Sequence, residues 1–385
     1  DVPLGAFLSG GIDSSLIVAL LQNHSIKPIK TFTIGFQEAD FDESKFAKAV
    51  AQHLNTDHHE FILDSKTVSE IIPMLPKIYD EPFGDSSAIP THLVSSYTKE
   101  KVTVALSGDG GDELFGGYNR YTAAPMLWKK ISWIPFPARK LVGKSILSVS
   151  KKNINRIGTL LLSANSSSLI GEKAHKVAEK LLKASDYLEF SNLLASAWQS
   201  PNLLVKGMET LSLGVSPLMS SYNFLSSDVS RMMAVDQVTY LPDDILCKVD
   251  RAAMAVSLET RVPMLDHHVV ETAARIPLHM NIKGAKGKIP LRAILSKYVP
   301  DELIDRPKAG FAIPVGEWLR GPLRDWAESL LDQSKVNQRG LLNFQPIEKM
   351  WQEHLSGKHD WTPKLWGVLM FQAWLEETES KSNQS

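Results

Sequence analysis

Two glycine-rich stretches in the first third of the chain carry the side chains best suited to chemistry. The first is Ser9-Gly10-Gly11-Ile12-Asp13-Ser14-Ser15, and the second is Ser107-Gly108-Asp109-Gly110-Gly111-Asp112-Glu113. Glycines let backbone N–H groups approach an anion closely, and the serine hydroxyls add hydrogen-bond donors. Carboxylates placed among such donors call for a cation, and Mg²⁺ prefers oxygen ligands and bridges phosphates. Residue type and spacing therefore predict a site for Mg²⁺-pyrophosphate, with Asp13 and Asp112 as metal ligands.

Neither stretch matches the commonest nucleotide-binding motifs. The pattern Gly-x-x-x-x-Gly-Lys-Ser/Thr is absent from both, so no lysine of that motif would reach a β/γ-phosphate bridge. The second stretch has Glu113 where Gly-x-Gly-x-x-Gly requires its third glycine. An aspartate in place of the lysine favours the binding of Mg²⁺-pyrophosphate over transfer of a γ-phosphoryl group.

The elements around the two stretches predict how they are positioned. Apolar runs predict strands at residues 2–8, 30–36, 58–63 and 102–106. Helical periodicity separates them, with Asp13 or Ser14 expected to cap the first helix and Pro73 and Pro76 expected to break the helix at 68–78. Strands that alternate with helices predict a parallel sheet covered on both faces, whose ligands bind beyond the carboxyl ends of the strands.

Three parts of the chain differ in pattern. Residues 1–120 are predicted to form the α/β core, and residues 121–375 a mostly helical part of the same domain that supplies Lys288 and the acceptor pocket. The polar residues 376–385 are predicted to be disordered. The formal net charge of −1 disfavours a nucleic-acid partner, and no apolar run is long enough to span a membrane. Cys247 is the only cysteine, which excludes a disulfide framework and favours a cytoplasmic setting.

Longer motifs permit a more specific comparison. Residues 9–15, 107–118, 244–251, 257–266 and 306–311 resemble the synthetase domain of the glutamine-hydrolysing asparagine synthetases, over residues 1 to about 375. The first motif also resembles the pyrophosphate loop of the N-type ATP pyrophosphatases. The resemblance implies a doubly wound parallel α/β sheet of the adenine nucleotide alpha-hydrolase-like type, with a large, mostly helical remainder. It implies that ATP and Mg²⁺ adenylylate the side-chain carboxylate of aspartate, that pyrophosphate leaves, and that ammonia then displaces AMP.

The same resemblance assigns residues to the site. The resemblance implies that pyrophosphate is bound by Ser9, Gly10, Gly11, Asp13, Ser14 and Ser15. It implies that the adenylate pocket is lined by Leu8, Ile34, Gly35, Ser107 and Gly108. In the whole enzymes an N-terminal glutaminase domain supplies the ammonia; because this chain begins one residue before its first strand, it is expected to be a fragment without that domain, using ammonia rather than glutamine. A homodimer is a further expectation.

Two catalytic residues follow from the resemblance. Lys288 begins a Lys-x-x-Leu-Arg motif and would neutralise charge that develops at the α-phosphate; by local sequence it is one of three lysines in a glycine-spaced basic loop. Asp109 stands where the best-known members carry glutamate in Ser-Gly-Glu-Gly. We expect Asp109 to keep the role of general base, with a different reach because its side chain is one methylene shorter.

Several alternatives stay open at this stage. The same chemistry could act on another carboxylate, such as a sugar acid or a β-amino acid that closes to a lactam. A catalytically silent nucleotide-binding homologue is a second alternative, and a tRNA-modifying pyrophosphatase is disfavoured by the near-neutral charge.

The charged residues of two further motifs could be structural or functional. Lys248, Asp250 and Arg251 would form an amino-acid pocket or a charged helix face, with Asp244 and Lys248 paired at i,i+4. Glu259 and Arg261 are expected to form a buried or half-buried pair near the nucleotide. The adjacent pairs His58-His59 and His267-His268 are expected to diverge and not to form a metal site, and Cys247 is expected to be a small core residue.

Overall fold

The computed structural model describes residues 2–36, 42–150, 153–156, 170–198, 200–208, 218, 220–305 and 313–382. The chain forms two compact units: Asp1–Gly117, Ser200–Thr210 and Asp236–Ser385 form the first, and Tyr118–Gln199 with Leu211–Val235 form the second. The second unit begins near the boundary predicted at residue 120. Residues 236–375, the later part of the mostly helical region predicted at 121–375, belong to the same compact unit as the sheet. Among the described residues, no helix has both the length and the apolarity needed to cross a membrane.

The first unit is built on a five-stranded parallel sheet in the order β3-β2-β1-β4-β5. Its strands are β1 (Leu4–Phe7), β2 (Lys30–Phe36), β3 (Asp57–Leu63), β4 (Val104–Leu106) and β5 (Glu259–Arg261). The predicted parallel α/β sheet is confirmed, and four of its strands lie where apolar runs predicted them. The fifth strand was not predicted because it is only three residues long and carries a charge at each end.

Helices surround this sheet. In the first unit they are α1 (Ile12–Asn23), α2 (Ser44–His53), α3 (Ser65–Ile71), α4 (Leu75–Tyr79), α5 (Ala88–Lys99) and α6 (Gly111–Phe115) before the second unit begins. A 3-10 turn at Ile72–Met74 separates α3 from α4, so the break predicted from Pro73 and Pro76 is confirmed. Helix α1 starts at Ile12 with Gly11 as its N-cap and no side-chain cap. The predicted capping by Asp13 or Ser14 is therefore wrong, because both residues already lie in the first helical turn.

The second unit, taken by itself, is helical. Its helices are α7 (Asn119–Ile131), α8 (Phe136–Ser148), α9 (Ile170–Lys183) and α10 (Tyr187–Ala195), and α11 (Asp228–Val238) leads out of it. Helices α8 and α9 pack closely at Gly143, where a methyl group would lie only 2.9 Å from the carbonyl oxygen of Ala178. The buried guanidinium of Arg139 lies 4.8 Å from the ring centroid of Trp128 and donates a hydrogen bond to Ser185 O at 2.9 Å.

The chain then returns to the first unit. A π-helical segment (Leu241–Leu246) leads directly into α12 (Cys247–Met254), and β5 follows. The remaining helices are α13 (His267–Arg275), α14 (Leu278–Asn281), α15 (Ile289–Leu295), α16 (Asp301–Ile304), α17 (Val315–Arg320), α18 (Arg324–Leu330), α19 (Gln333–Arg339), α20 (Phe344–Leu355) and α21 (Thr362–Ser382). Helix α21 includes residues 376–382, where disorder was predicted. Ion pairs from Lys335 to Glu376 at 2.8 Å and from Arg339 to Glu379 at 2.7 Å hold this part of the helix. Residues 383–385 lie outside the described residues.

One apolar cluster connects the elements that carry the predicted site. It contains Leu16 and Val18 of α1, Leu114 and Phe115 of α6, and Leu291 and Leu295 of α15, all buried. Burial of a leucine or phenylalanine side chain contributes about 1.5–3 kcal/mol. Apolar packing thus fixes three short helices against one another, and each of them begins at a residue next to the predicted chemistry.

Candidate active site

The two glycine-rich stretches lie side by side because they follow neighbouring strands. β1 pairs with β4 in parallel, so the stretch after β1 and the stretch after β4 emerge at the same edge of the sheet. A methyl group at Gly108 would lie 2.8 Å from the Ser14 nitrogen and 3.0 Å from the Asp13 Cβ. One at Gly111 would collide with the Asp13 carboxylate. Glycine is required at 108, where a methyl group would meet backbone atoms, whereas a methyl group at 111 would displace the Asp13 carboxylate.

The first stretch is held in its turn by its own serines. The hydroxyls of Ser9 and Ser14 lie 3.0 Å apart, and the Gly11 N–H donates to Ser9 Oγ at 3.3 Å. Gly10 takes the left-handed conformation with φ +73°, and a methyl group there would lie 2.8 Å from the backbone of α2. Ser15 is buried in the first turn of α1. These residues form a preorganised turn of hydroxyl and N–H groups at the start of a 12-residue helix, an arrangement typical of anion binding.

Lys288 joins both stretches through its side chain. Its ammonium contacts Asp13 Oδ2 and lies 2.7 Å from Asp112 Oδ1. The lysine is only 6% exposed. Burial on its own would lower the pKa of Lys288, but the charges of Asp13 and Asp112 offset that effect and leave the pKa above its ordinary value. Lys288 is therefore a buried cation between two carboxylates from the first turns of two different helices, α1 and α6.

The backbone around Lys288 is tightly packed against the end of α6. Lys288 is the N-cap of α15, with φ +58°, and its N–H donates to Phe115 O at 2.9 Å. A methyl group at Gly287 would collide with the carbonyl of Gly116, and one at Gly117 would collide with the Asp112 carboxylate and with Lys288 itself. Two segments that are far apart in sequence thus meet through glycines, and they have no room for larger residues.

Asp109 lies in the turn between β4 and α6. Ser107 Oγ donates to Asp109 Oδ2, and Ser107 N donates to the Arg261 carbonyl of β5 at 2.8 Å. Burial raises the pKa of Asp109, and its effect exceeds the lowering by the Ser107 hydrogen bond and by the nearby ammonium of Lys248. A carboxylate with a raised pKa is a stronger base than an exposed aspartate.

The residues expected at the adenylate pocket lie at the carboxyl ends of the central strands. Leu8 follows β1 and is buried, and its N–H donates to Phe32 O of β2 at 2.8 Å. Ile34 is buried near the end of β2, and the backbone of Gly35 is approached closely, since a methyl group there would lie 2.6 Å from Ile62 Cδ1. With Ser107 and Gly108 they lie at the sheet edge where the glycine stretches begin, and their contact with adenine stays a prediction.

A second charge cluster, which local sequence does not predict, surrounds the buried Lys248. Lys248 of α12 places its Nζ 2.7 Å from Asp85 Oδ2, and Ser87 Oγ donates to the same oxygen at 2.6 Å. Burial would raise the pKa of Asp85, but the Lys248 ammonium lowers it below the ordinary range. Burial together with the Asp85 charge raises the pKa of Asp244 to about 6. The ion pair of Lys248 with Asp85, rather than with the expected Asp244, joins residues 163 positions apart, and no local pattern signals it.

Cys247 and the pair of Glu259 with Arg261 agree only in part with what the sequence predicts. Cys247 Sγ donates to Glu81 Oε1 at 3.2 Å, and burial raises the pKa of the thiol to about 11, so it is a poor nucleophile; it is partly exposed rather than in the core. Glu259 and Arg261 form the expected ion pair at 3.0 Å, but the Arg261 side chain is 70% exposed because β5 is an edge strand.

The His267 and His268 rings lie 3.7 Å apart, so their predicted divergence is wrong. They begin α13, where Asp266 accepts the His268 N–H. With Asp266 they are one exposed group of possible metal ligands within the part of the chain that the structure describes. The motif at 306–311 lies outside the described residues.

Comparison with known proteins agrees with the geometry. A sequence model of the family described as asparagine synthase matches residues 1–376. Glutamine-hydrolyzing asparagine synthetase 1 of Bacillus subtilis (strain 168) is 33% identical over 378 residues, which is 97% of this chain and 56% of that protein. A putative glutamine-hydrolyzing asparagine synthetase of Mycobacterium tuberculosis (strain ATCC 25618 / H37Rv) is 34% identical over 376 residues, 97% of this chain and 54% of that protein. The amidase chyE of Penicillium rubens is 22% identical over 379 residues, 91% of this chain and 55% of that protein. The chain spans about half the length of these curated relatives. It belongs to the asparagine synthase family.

Proposed function

We propose that this chain activates the side-chain carboxylate of aspartate by adenylylation and then forms asparagine from the adenylate and ammonia. ATP is the co-substrate, and pyrophosphate and AMP are the products. One observation carries the proposal: Lys288 lies buried between Asp13 and Asp112. All three lie at the edge of the sheet where the serine-rich turn (residues 9–15) leads into α1. The names of the relatives at 33–34% identity support aspartate as the acceptor.

The donor groups fit a magnesium ion. Asp13 and Asp112 present carboxylate oxygens to one shared cation, which in this structure is the ammonium of Lys288. Carboxylates are the protein ligands that Mg²⁺ uses when it also binds phosphates. When bound with ATP, the metal would withdraw charge from the departing pyrophosphate. Asp13 and Asp112 would hold it there.

The remaining groups act on the nucleotide and on the attacking ammonia. The hydroxyls of Ser9 and Ser14 and the N–H groups at the start of α1 bind pyrophosphate oxygens. The Lys288 ammonium, kept charged by its two carboxylates, stabilises the negative charge that builds up at the α-phosphate. Asp109 accepts a proton from the attacking ammonia, since its raised pKa makes it a stronger base than an exposed aspartate.

The source of ammonia belongs to the same proposal. The relatives are named as glutamine-hydrolyzing enzymes, and this chain matches only about half of each. We expect glutamine hydrolysis to take place in a separate glutaminase domain, and this chain on its own to accept ammonium ions. The reaction is expected in the cytoplasm, where ATP and aspartate are present.

The same chemistry on another carboxylate is the second candidate. Asp109 favours it, because its shorter side chain shifts the base relative to the glutamate expected from the resemblance. Similarity to amidases at 22–24% identity agrees with a wider range of acceptors.

The test is pyrophosphate release from Mg²⁺-ATP with excess ammonium. Aspartate would be compared with glutamate, β-amino acids and sugar acids, and products would be identified by mass. Release that requires aspartate, with asparagine and AMP formed in equal amounts, is the expected result. Release with another carboxylate would replace the substrate, and no release with any acceptor would refute the proposal. In the same assay Lys288→Met should slow pyrophosphate release, because it removes the ammonium proposed to act at the α-phosphate. Lys335→Met is its matched control, because Lys335 lies in an exposed ion pair outside the site.

A further inference from the structure

The turn that carries Lys288 holds a second, outward-facing set of charges. Lys283 and Lys286 exchange backbone hydrogen bonds at 2.9 and 3.1 Å, which closes the turn before Gly287 and Lys288. Lys286 places its Nζ 2.7 Å from Asp305 Oδ2. Arg292, one turn into α15, places NH1 3.1 Å from Asp305 Oδ1. The two oxygens of the Asp305 carboxylate thus bind two cations, Lys286 before Lys288 in the sequence and Arg292 after it.

Arg292 also holds the turn directly. Its Nε donates to Gly287 O at 3.2 Å, and its backbone N–H donates to Lys288 O at 2.9 Å. The residue is therefore attached to the two peptide units that set the direction of the Lys288 side chain. Asp305 fixes Arg292 by accepting from its guanidinium.

The turn needs such support because of its backbone. Lys288 has φ +58°, a conformation that residues other than glycine seldom adopt and that persists only when the surroundings hold it. The inner contacts, to Asp13 and Asp112, involve the groups that ATP and Mg²⁺ would engage. A fixed point is then required outside the site, and the described contacts of Lys286 and Arg292 supply it.

We propose that Asp305 is a positioning residue for Lys288. Its carboxylate pairs with Lys286 and Arg292 and so keeps the left-handed turn in place while the ammonium of Lys288 moves from its carboxylates to the nucleotide. The inference rests on the role proposed for Lys288. Asp305 itself touches neither the serine-rich turn nor the two carboxylates in any contact that the structure describes.

Asp305→Asn tests this, since it keeps the size of the side chain and removes its charge. We expect kcat for pyrophosphate release to fall about tenfold, because a small displacement of a catalytic group has a large cost, while KM for ATP changes less than twofold. The ion pairs of Asp305 with Lys286 and Arg292 are partly exposed, so salt should screen them. Raising the salt concentration should therefore lower the activity of the wild type towards that of the variant and leave the activity of the variant unchanged. Asp305→Glu should restore part of kcat. Glu328→Gln is the matched control, because Glu328 is 43% exposed against 46% for Asp305 and pairs with Arg324 away from the site.

Amide hydrogen exchange gives a readout that does not depend on activity. The Lys288 N–H bonded to Phe115 O should exchange faster in Asp305→Asn than in wild type, and Glu328→Gln should leave it unchanged. Unchanged exchange with unchanged kcat would overturn the inference. So would a loss of kcat that follows a uniform loss of thermal stability and of ATP binding. If the wild type releases no pyrophosphate with any acceptor, the proposed function fails, and the exchange of residues 283–292 still decides the positioning role.

Discussion

Replacing Lys288 by methionine should make the thermal stability of the nucleotide-free protein depend on a divalent cation. The substitution keeps the length of the side chain and removes the charge that Asp13 and Asp112 share. Two carboxylates then face each other in a place where Lys288 is 6% exposed. Breaking a buried ion pair by removing one partner costs about 3–5 kcal/mol. For a chain of this size, each kcal/mol lost from the free energy of unfolding lowers the melting temperature by about 2 °C. The melting temperature should therefore fall by about 6–10 °C without metal.

Magnesium should restore part of this loss in the variant and little in the wild type. A cation that binds only the folded state adds about 1.4 kcal/mol when its concentration is about ten times its dissociation constant, which corresponds to about 3 °C. In the wild type the Lys288 ammonium occupies the same two carboxylates and competes with the metal. Lys335→Met is the control, since its exposed ion pair with Glu376 contributes at most about 1 kcal/mol.

The assay is calorimetry or thermal fluorescence over a Mg²⁺ titration, with Mn²⁺ binding followed by electron paramagnetic resonance. The expected pattern is a steep Mg²⁺ dependence in Lys288→Met and a shallow one in wild type and in Lys335→Met. Equal stabilisation of all three proteins by Mg²⁺ would refute the idea that the lysine and the metal share Asp13 and Asp112. A variant as stable as the wild type without metal would refute the estimate of a buried, energetically important pair.

Three further predictions concern the rest of the site and the fold. Asp109→Asn should lower amide formation about 100-fold while ATP–pyrophosphate exchange continues, because only proton transfer from ammonia is lost; equal rates of amide formation would remove its role as base. Gly117→Ala should abolish activity by pushing the new methyl group into the Lys288 side chain, whereas Gly84→Ala, with its nearest neighbour 3.8 Å away, should behave as wild type; activity assays and melting curves compare the two. Burial, assisted by the charge of Arg320, lowers the pKa of His354, so the folded protein binds this proton more weakly than the unfolded chain. Its contribution to stability is complete above about pH 6.5 and should be lost as the pH falls through the lowered pKa; urea unfolding between pH 8 and 5 measures this, and a curve identical to that of His354→Gln would contradict it.

The main strands could be predicted because buried parallel strands form continuous apolar runs. Residues 30–36 were predicted as a strand, and β2 occupies Lys30–Phe36. The glycine stretches could be placed at one edge of the sheet for a related reason, since each follows such a run and carboxyl ends of parallel strands share an edge. Local sequence and global topology agree here, which is why residue patterns were sufficient.

Long-range polar contacts could not be predicted in this way. The partner of Lys248 is Asp85, not Asp244 one turn away, because the fold brings a distant segment to the lysine, and Ser87 donates to the same carboxylate oxygen. β5 is short and charged, and only its pairing with β4 makes it a strand. The disorder predicted from residue 376 failed for the same reason, since charged residues that look solvated in sequence pair with α19.

The three charged groups of the site are positioned with unequal strength, and this explains where additional support occurs. Asp13 and Asp112 lie close together because their strands are neighbours in one hydrogen-bonded sheet. Within the part of the chain that the structure describes, Lys288 does not follow a strand; apolar packing of Leu291 and Leu295 against α1 and α6 holds its helix. Apolar contacts tolerate small shifts that hydrogen-bonded sheets do not, yet a catalytic group must be placed to within a fraction of an ångström. The close glycine contacts and the ion pairs that flank Lys288 therefore lie where the sheet cannot fix the geometry.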